Sequence, residues 1–233
     1  MQLTRRRSLQ RVLASVAGGL SVGWAGLARA LDLSQADASA GVKAALDRGA
    51  DAAVSLLGQP DGFLGNPKVR IPLPSALESG AKLLKATGQS KQLDELITAM
   101  NRAAEAAVPA AKPLLKQAIQ QMSVADATQI IRGGDTSVTD FFAAKTRAPL
   151  TERFLPIVTQ QTEKLALAQQ YNAVAGQAMG FGLVKKEDAN VQQYVTRKAL
   201  DGLFFMIGEE ERKIRKDPVG TGSAILKKVF GGP

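Results

Sequence analysis

The sequence predicts an all-α fold: a single-domain helical bundle with one extended, proline-rich arm over residues 58–74. Apolar residues recur at intervals of three and four along most of the chain, which is the spacing of amphipathic helices. Glycine, proline and capping residues separate these stretches, and the alternation typical of a half-buried strand is almost absent. Apolar residues make up 45% of the chain and charged residues 22%, as in globular proteins.

The first two predicted helices flank the arm. Residues 39–57 have apolar residues at helical spacing, and Gly58 ends the helix. Ser75 and Glu78 have the spacing of a capping box, in which each side chain satisfies a backbone N–H of the first turn. The second helix therefore begins at Ser75, and Gly88 closes it.

Two further helices are predicted before the middle of the chain. One apolar stripe runs over residues 93–107 and ends where Pro109 and Pro113 break or restart the helix. Ser123 has the sequence context of an N-cap, and the short helix that it opens ends at the glycine pair 133–134.

Four helices are predicted in the second half of the chain. One covers about residues 136–146; a longer one starts near Pro149, kinks at Pro156 and continues towards Gly180. The next has Asp188 or Asn190 as its cap, with apolar residues from Val191 to Met206 on one face. A short helix over residues 223–230 ends the chain.

Residues 58–74 do not fit the helical pattern. They contain four of the ten prolines, and Val69, Ile71 and Leu73 alternate with polar or proline positions. Proline cannot donate to a ladder, and no second strand is evident. The segment is expected to lie across the helices as an ordered arm. The alternative is a recognition arm in which Arg70 or Lys68 faces an anionic group.

Residues 1–30 predict a cleavable export signal, and residues 31–233 a single helical domain. A basic head precedes an apolar stretch over residues 12–27, and residues 28–30 have the small-x-small pattern of a cleavage site. The stretch is shorter than the roughly 20 residues of a spanning helix, so we expect no stable membrane span after cleavage. The arginine pair at 5–6 resembles a twin-arginine signal, although ordinary secretory signals also begin with arginines. The predicted location is the periplasm.

The charge and the missing residue types exclude several functions. The formal net charge is +9, but residues 1–30 hold five arginines and no acid, so the mature chain has 25 basic against 21 acidic residues, or +4. A net charge of this size does not indicate a surface that binds nucleic acid. The chain has no His and no Cys, which excludes serine–histidine triads, thiolate nucleophiles and the usual zinc sites. We therefore expect no cofactor, no metal site and no nucleic-acid partner.

Several motifs resemble one family. These are GFLGNP at 62–67, IPLP at 71–74, MNRAAEAAVP at 100–109, GGD at 133–135, FLP at 154–156, ALDGLFFMI at 199–207 and GEEERKIR at 208–215. Together they resemble the bacterial exported domain-of-unknown-function family 4197 over nearly the whole mature chain. The resemblance implies an exported, mostly helical, single-domain protein of Gram-negative bacteria. It implies no activity, because the family is uncharacterised.

Asn101 and Glu105 are the first pair of candidate binding residues. A helical wheel places Asn101 at the edge of the apolar stripe and Glu105 on its flank, so the two are i,i+4 neighbours at the boundary of the core. Such a pair either tethers the arm or a neighbouring helix, or orients a ligand in a cleft.

The second group of candidate binding residues consists of Lys198, Glu209 and Glu210 together with Arg70 from the arm. If the last long helix continues through Gly208, Glu209 lies on the same side as Lys198, and either Lys198 or a nearby arginine is its expected partner. If Gly208 ends the helix, the acids open a new one, where their charge suits the positive N-terminus.

Three functions remain open, and the first is favoured. In the first, the protein would be a non-catalytic binding or interaction module for an apolar or lipid-like ligand or an envelope partner, which requires an apolar-lined cavity. A hydrolase of cell-wall sugars would instead need two carboxylates across a cleft, such as Glu105 with Glu209 or Glu210. A structural scaffold would show only a flat, exposed apolar patch.

Overall fold

Helices form most of the part of the chain that the structure, a computed structural model, describes: residues 35–74, 86, 88, 90–180, 185 and 188–217. The helices are α1 (Gln35–Leu57), α2 (Ser90–Ala107), α3 (Lys112–Gln120), α4 (Val124–Arg132), α5 (Ser137–Thr162), α6 (Ala166–Gly180) and α7 (Val191–Lys216). No strand occurs in these ranges, so the predicted all-α class is confirmed. The predicted signal 1–30 and the helices predicted to begin at Ser75 and to cover 223–230 lie outside the described residues.

The core is built around α5 and α7, which pack along one another. Helix α2 packs on both of them, and α1 covers α7 and reaches α3 and α4. One contiguous set of buried apolar side chains takes members from every helix and from residues 58–74. The predicted stripe of α2 is buried in this core at Leu93, Leu96, Met100, Ala104 and Ala107.

Helix starts and stops in the middle of the chain agree with the sequence. A 3₁₀ turn, Val108–Ala111, follows α2 and contains Pro109, and Pro113 lies in the first turn of α3. Ser123 caps α4 in a reciprocal capping box with Asp126, and Gly133 is the C-cap. Of the two predicted caps of α7, Asn190 is the N-cap, and its side chain accepts from the backbone N–H of Gln193 at 2.7 Å.

The prediction of a break between residues 146 and 149 is wrong, because α5 runs unbroken through Pro149 and Pro156. An interior proline removes one helical hydrogen bond and costs about 3 kcal/mol. Burial offsets this cost in α5, where every fourth residue is buried. These are Val138, Phe142, Thr146, Leu150, Phe154, Val158 and Thr162.

The predicted continuation from Pro149 to Gly180 is also wrong, since α5 ends at Thr162 and α6 begins at Ala166. Neither glycine nor proline marks this break. The side-chain amide of Gln169 donates to the carbonyl of Glu163 at 3.0 Å and so satisfies a carbonyl beyond the end of α5.

A tight turn opens the arm, which we define as residues 58–74. The N–H of Gly65 donates to the carbonyl of Asp61 at 3.1 Å, and Asp61 has a left-handed φ of 66°. A side chain at Gly62 would place its Cβ 2.5 Å from the carbonyl oxygen of Leu57. Only glycine fits this close approach of backbone to backbone.

Turns continue to residue 69, where the N–H groups of Val69 and Arg70 donate to the carbonyl of Asn66 at 3.2 and 2.9 Å, so the predicted extended conformation is limited to about residues 70–74. The arm contacts the helices with one face. Phe63, Val69, Ile71 and Leu73 are buried, whereas Arg70 between them is exposed. The phenol of Tyr194 in α7 donates to the carbonyl of Pro72 at 3.2 Å.

Gly202 of α7 is the position where this packing is tightest. A Cβ there would lie 2.7 Å from Cε1 of Phe63 and 3.3 Å from Cβ of Val69. We expect Gly202→Ala to lower the free energy of unfolding by about 1–3 kcal/mol, because overpacking outweighs the gain in helix propensity.

Gly176 of α6 is the matched control. A Cβ at this helical position would meet nothing within 4 Å, so Gly176→Ala should raise the free energy of unfolding by up to about 1 kcal/mol. Urea denaturation of both variants measures the difference. A Gly202→Ala protein as stable as the wild type would contradict the packing described for the arm.

Candidate functional site

The strongest candidate site is a cleft of about 400 Å³ between α5 and α7, here called the α5–α7 cleft. The described residues that line it come from these two helices and combine apolar, hydroxyl, amide and guanidinium groups. They are Arg147, Thr151 and Leu155 of α5 with Gln193, Thr196, Arg197 and Leu200 of α7.

The lining follows from helical spacing. The α5 residues are four apart, and the α7 residues follow the i, i+3, i+4, i+7 pattern, so each set occupies one face of its helix. The two faces meet because α5 and α7 pack along each other. The exposed surface inside the cleft is mostly apolar, with Leu155 and Leu200 as its aliphatic side chains.

Both arginines of the cleft are already paired with acids. Arg147 contacts Asp201 at 2.9 Å and stacks 4.9 Å from the ring centroid of Phe204. Arg197 pairs with Asp188 and lies 3.6 Å from the second carboxylate oxygen of Asp201. Two cations therefore face two carboxylates, and this group has no net charge.

Three polar atoms of cleft residues lack a hydrogen-bond partner. They are Oε1 of Gln193, Oγ1 of Thr196 and Nε of Arg197, and all three are buried within the described part of the protein. Thr196 is only 1% exposed. Burying an unpaired polar group costs about 1–3 kcal/mol, so three within two turns of one helix are unusual.

The neighbouring residue Gln192 shows the ordinary arrangement. Its amide accepts from Asn172 at 2.9 Å and donates to the hydroxyl of Thr162 at 3.2 Å, and Asn172 also accepts from the N–H of Val191 at 2.8 Å. This buried polar group is satisfied by protein partners, unlike the adjoining group in the cleft.

Asn101, the first predicted site residue, is fully buried and hydrogen-bonded to the arm. Its Oδ1 accepts from the N–H of Ile71 at 2.8 Å, and its Nδ2 donates to the carbonyl of Ile71 at 3.0 Å and to that of Ile97 at 2.8 Å. The side chain therefore pairs with both backbone groups of Ile71, as a neighbouring strand would.

Glu105 also holds the arm. Oε1 accepts from the N–H groups of Phe63 and Leu64, both at 3.0 Å, and Oε2 accepts from Arg102 at 2.7 Å. Arg102 also pairs with Asp61 at 2.8 Å. Both carboxylate oxygens of Glu105 are thus engaged within the fold. This arrangement corresponds to tethering of the arm, and it leaves neither oxygen without a protein partner.

Arg70 and Lys198 come together in a different place, a groove of about 290 Å³ between the arm and α7. Lys68 and Phe205 also line it, and Phe205 is 41% exposed although its apolar neighbours in sequence are buried. Nζ of Lys198 lies 5.8 Å from the ring centroid of Tyr194. The six predicted site residues therefore do not form one site.

Glu209 and Glu210 lie within α7, which continues through Gly208 and excludes a new helix at this point. Glu209 pairs with Lys68 of the arm and with Arg212. Glu210 pairs with Lys213 at 2.6 Å. Of the two alternative partners expected for Glu209, the arginine is present as Arg212, whereas no pairing with Lys198 occurs among the described residues, and Lys198 lies against Tyr194.

The acid that α7 carries into the core is Glu211, which the sequence analysis did not single out. It is 5% exposed, contacts Arg215 at 2.8 Å and accepts from Ser137 at 3.2 Å. Burial raises the pKa of Glu211, and the Arg215 guanidinium opposes that shift. Glu211 joins α7 to the first turn of α5, where Val138 also donates to it.

The described residues hold no group of three or more acids that could bind a metal ion. None of the described helices is long and apolar enough to cross a bilayer. The carboxylates proposed for a hydrolase, Glu105 with Glu209 or Glu210, each have basic or backbone partners of their own.

Fold and site together define an all-α protein with a ligand-sized, largely apolar cleft between two long helices. The chain belongs to the DUF4197 family of proteins of unknown function, which it matches over residues 32–231. The resemblance noted from the motifs is thereby confirmed. No match was found among curated proteins or among solved structures.

The α5–α7 cleft was not predicted from the sequence. The sequence does contain a pattern that indicates it: polar residues four positions apart, which share one face of a helix. They are Arg147 and Thr151 on one helix and Gln193 and Arg197 on the other. Because one predicted helix ends at about residue 146 and the next starts near Pro149, Arg147 falls in the predicted break, and the face that it shares with Thr151 is not evident from the sequence.

Asn101 provides a direct test of the arm's attachment. Asn101→Leu keeps the side-chain volume but leaves the N–H and carbonyl of Ile71 without a partner, so we expect a loss of about 2–4 kcal/mol in the free energy of unfolding. Chemical denaturation measures this loss, and increased proteolysis within residues 58–74 should accompany it. A loss below about 0.5 kcal/mol would contradict the tethering role.

The lowered pKa of Glu209 should make the stability of the fold depend on pH. Hydrogen bonds from Lys68 and Arg212 lower the pKa of Glu209 from 4.5 to about 2. Between these pH values the unfolded chain binds the proton more readily, so the stabilisation is present above pH 4.5 and is lost as the pH falls towards 2. Glu209→Gln and Lys68→Met should both flatten this part of the profile, measured by urea denaturation at several pH values. An unchanged slope in both variants would contradict the pairing.

Proposed function

We propose that the protein is an exported, non-catalytic binding module of the Gram-negative periplasm that holds an apolar or lipid-like ligand in the α5–α7 cleft. One observation supports this most strongly: a mostly apolar cleft of about 400 Å³ whose residues include three polar atoms without partners. Small-molecule sites are clefts of about 300–1,000 Å³ with apolar walls and a few polar groups that orient the ligand.

The chemistry of the chain favours binding over catalysis. It has neither His nor Cys, so acid–base and nucleophilic roles would fall mainly to carboxylates. Among the described residues no carboxylate lines the α5–α7 cleft itself, and Glu105 is engaged by the arm. An occupant of the cleft would thus meet groups suited to hydrogen bonding and apolar contact.

The proposed location depends on residues 1–30, which combine a basic head, an apolar stretch and an Ala-x-Ala pattern. A ligand or partner would then come from the cell envelope. The twin-arginine route is testable, because Arg5→Lys with Arg6→Lys should block it and leave an ordinary secretory signal active. Fractionation followed by intact-mass measurement would show whether a chain beginning at Leu31 still reaches the periplasm.

Native mass spectrometry of protein purified from the periplasm tests the binding function. We expect the wild type to carry an apolar small molecule and Thr151→Trp to lose it, because the indole fills the cleft at its exposed side. Thr128→Trp is the control: Thr128 makes the same hydrogen bond to the fourth preceding carbonyl as Thr151, but on α4. Ligand-free wild-type protein, or equal loss in both variants, would contradict the proposal.

A further inference from the structure

The three unpartnered atoms of the α5–α7 cleft specify the kind of polar group that would satisfy them. Nε of Arg197 carries a hydrogen and can only donate, the hydroxyl of Thr196 donates or accepts, and Oε1 of Gln193 accepts. The three residues lie within two turns of α7. A group that satisfies all of them must carry at least one acceptor and one donor.

The charges around the cleft are balanced without a ligand. Arg147 and Arg197 are neutralised by Asp188 and Asp201, and Asp201 bridges both guanidinium groups. An anionic head group would therefore add a negative charge beside two carboxylates, or displace one of them from its arginine. Burying a charge without compensation is strongly unfavourable, and the same argument applies to a cation.

An uncharged head group avoids this penalty. A primary amide offers one carbonyl acceptor and an N–H donor, and an alcohol offers both functions on one oxygen. Either head group would accept a hydrogen bond from Nε of Arg197, form one with the hydroxyl of Thr196 and donate one to Oε1 of Gln193. Leu155 and Leu200 would then contact the apolar part of the molecule.

We infer that the α5–α7 cleft selects amphiphiles with an uncharged head group that both donates and accepts hydrogen bonds, an amide or an alcohol, over fatty acids and alkylammonium ions. This inference rests on the proposed function and narrows its ligand class. The three atoms are buried in the described structure, so the ligand is expected to reach them by rotation of the Gln193 and Thr196 side chains.

Isothermal titration calorimetry with probes of one chain length tests the inference. The probes are decanamide, glycerol monodecanoate, sodium decanoate and decylammonium chloride, each below its aggregation concentration at pH 7.5 and added to delipidated protein. We expect the two neutral probes to bind at least about tenfold more tightly than either ion. One well-placed hydrogen bond, or the avoided cost of burying a charged head group, is enough to produce this difference in affinity.

Thr196→Val provides the matched variant. It removes the unpartnered hydroxyl while keeping the side-chain shape, so it should not destabilise the fold, but it should weaken binding of decanamide about fivefold to tenfold. Thr146→Val is the control, because Thr146 is equally buried but donates to the carbonyl of Phe142 within its own helix. It should leave decanamide binding unchanged.

The outcomes separate the two proposals. Tighter binding of decanoate or decylammonium would overturn the head-group inference and leave the binding function standing. Equal binding of all four probes, unaffected by Thr196→Val, would also overturn the inference, since water would then satisfy the three atoms. Failure of every probe, together with ligand-free protein from the periplasm, would overturn the binding function itself.

Discussion

The arm must satisfy its backbone hydrogen bonds without a partner strand, and the rest of the structure depends on how it does so. Asn101 and Glu105 of α2 supply the missing partners: the amide pairs with both backbone groups of Ile71, and the carboxylate accepts from two successive N–H groups at Phe63 and Leu64. Because a buried, unpaired backbone group costs free energy comparable to a lost hydrogen bond, these two side chains make burial of the arm possible. Phe63 then packs against Gly202 of α7, so the arm links α2 to the helix that carries the cleft.

Along α7, satisfied polar groups near both ends lie on either side of a stretch with unsatisfied ones. Glu211 near the C-terminal end and Gln192 near the N-terminal end each have several protein partners, and both join α7 to α5. Between these attachments the two helices leave the α5–α7 cleft, where Gln193, Thr196 and Arg197 each hold an unpartnered atom. The same pair of helices therefore supplies a fixed frame and a polar site that a ligand can complete, which is the combination expected of a binding protein.

Much of the fold was predictable because its signals are local. The capping box at Ser123, the cap at Asn190 and the stripe of α2 depend only on neighbouring residues, and the structure contains all three. The i,i+4 pair Asn101 and Glu105 was also recognised, although only the structure could show that both reach the arm, about 30 to 40 residues earlier in the sequence. The wrong break near Pro149 has a non-local cause, since burial of α5 offsets its prolines. The cleft needs two helices in register, and sequence periodicity does not specify which faces meet.

A crystal structure of the protein purified natively, without delipidation, tests the central claim most directly, because it shows both the occupant and its contacts. The account predicts density for an uncharged amphiphile between Leu155 and Leu200, with a head-group atom within hydrogen-bond distance, about 2.7–3.2 Å, of Oγ1 of Thr196. Ordered water alone at Gln193, Thr196 and Arg197, in a cleft that is otherwise empty, would contradict it.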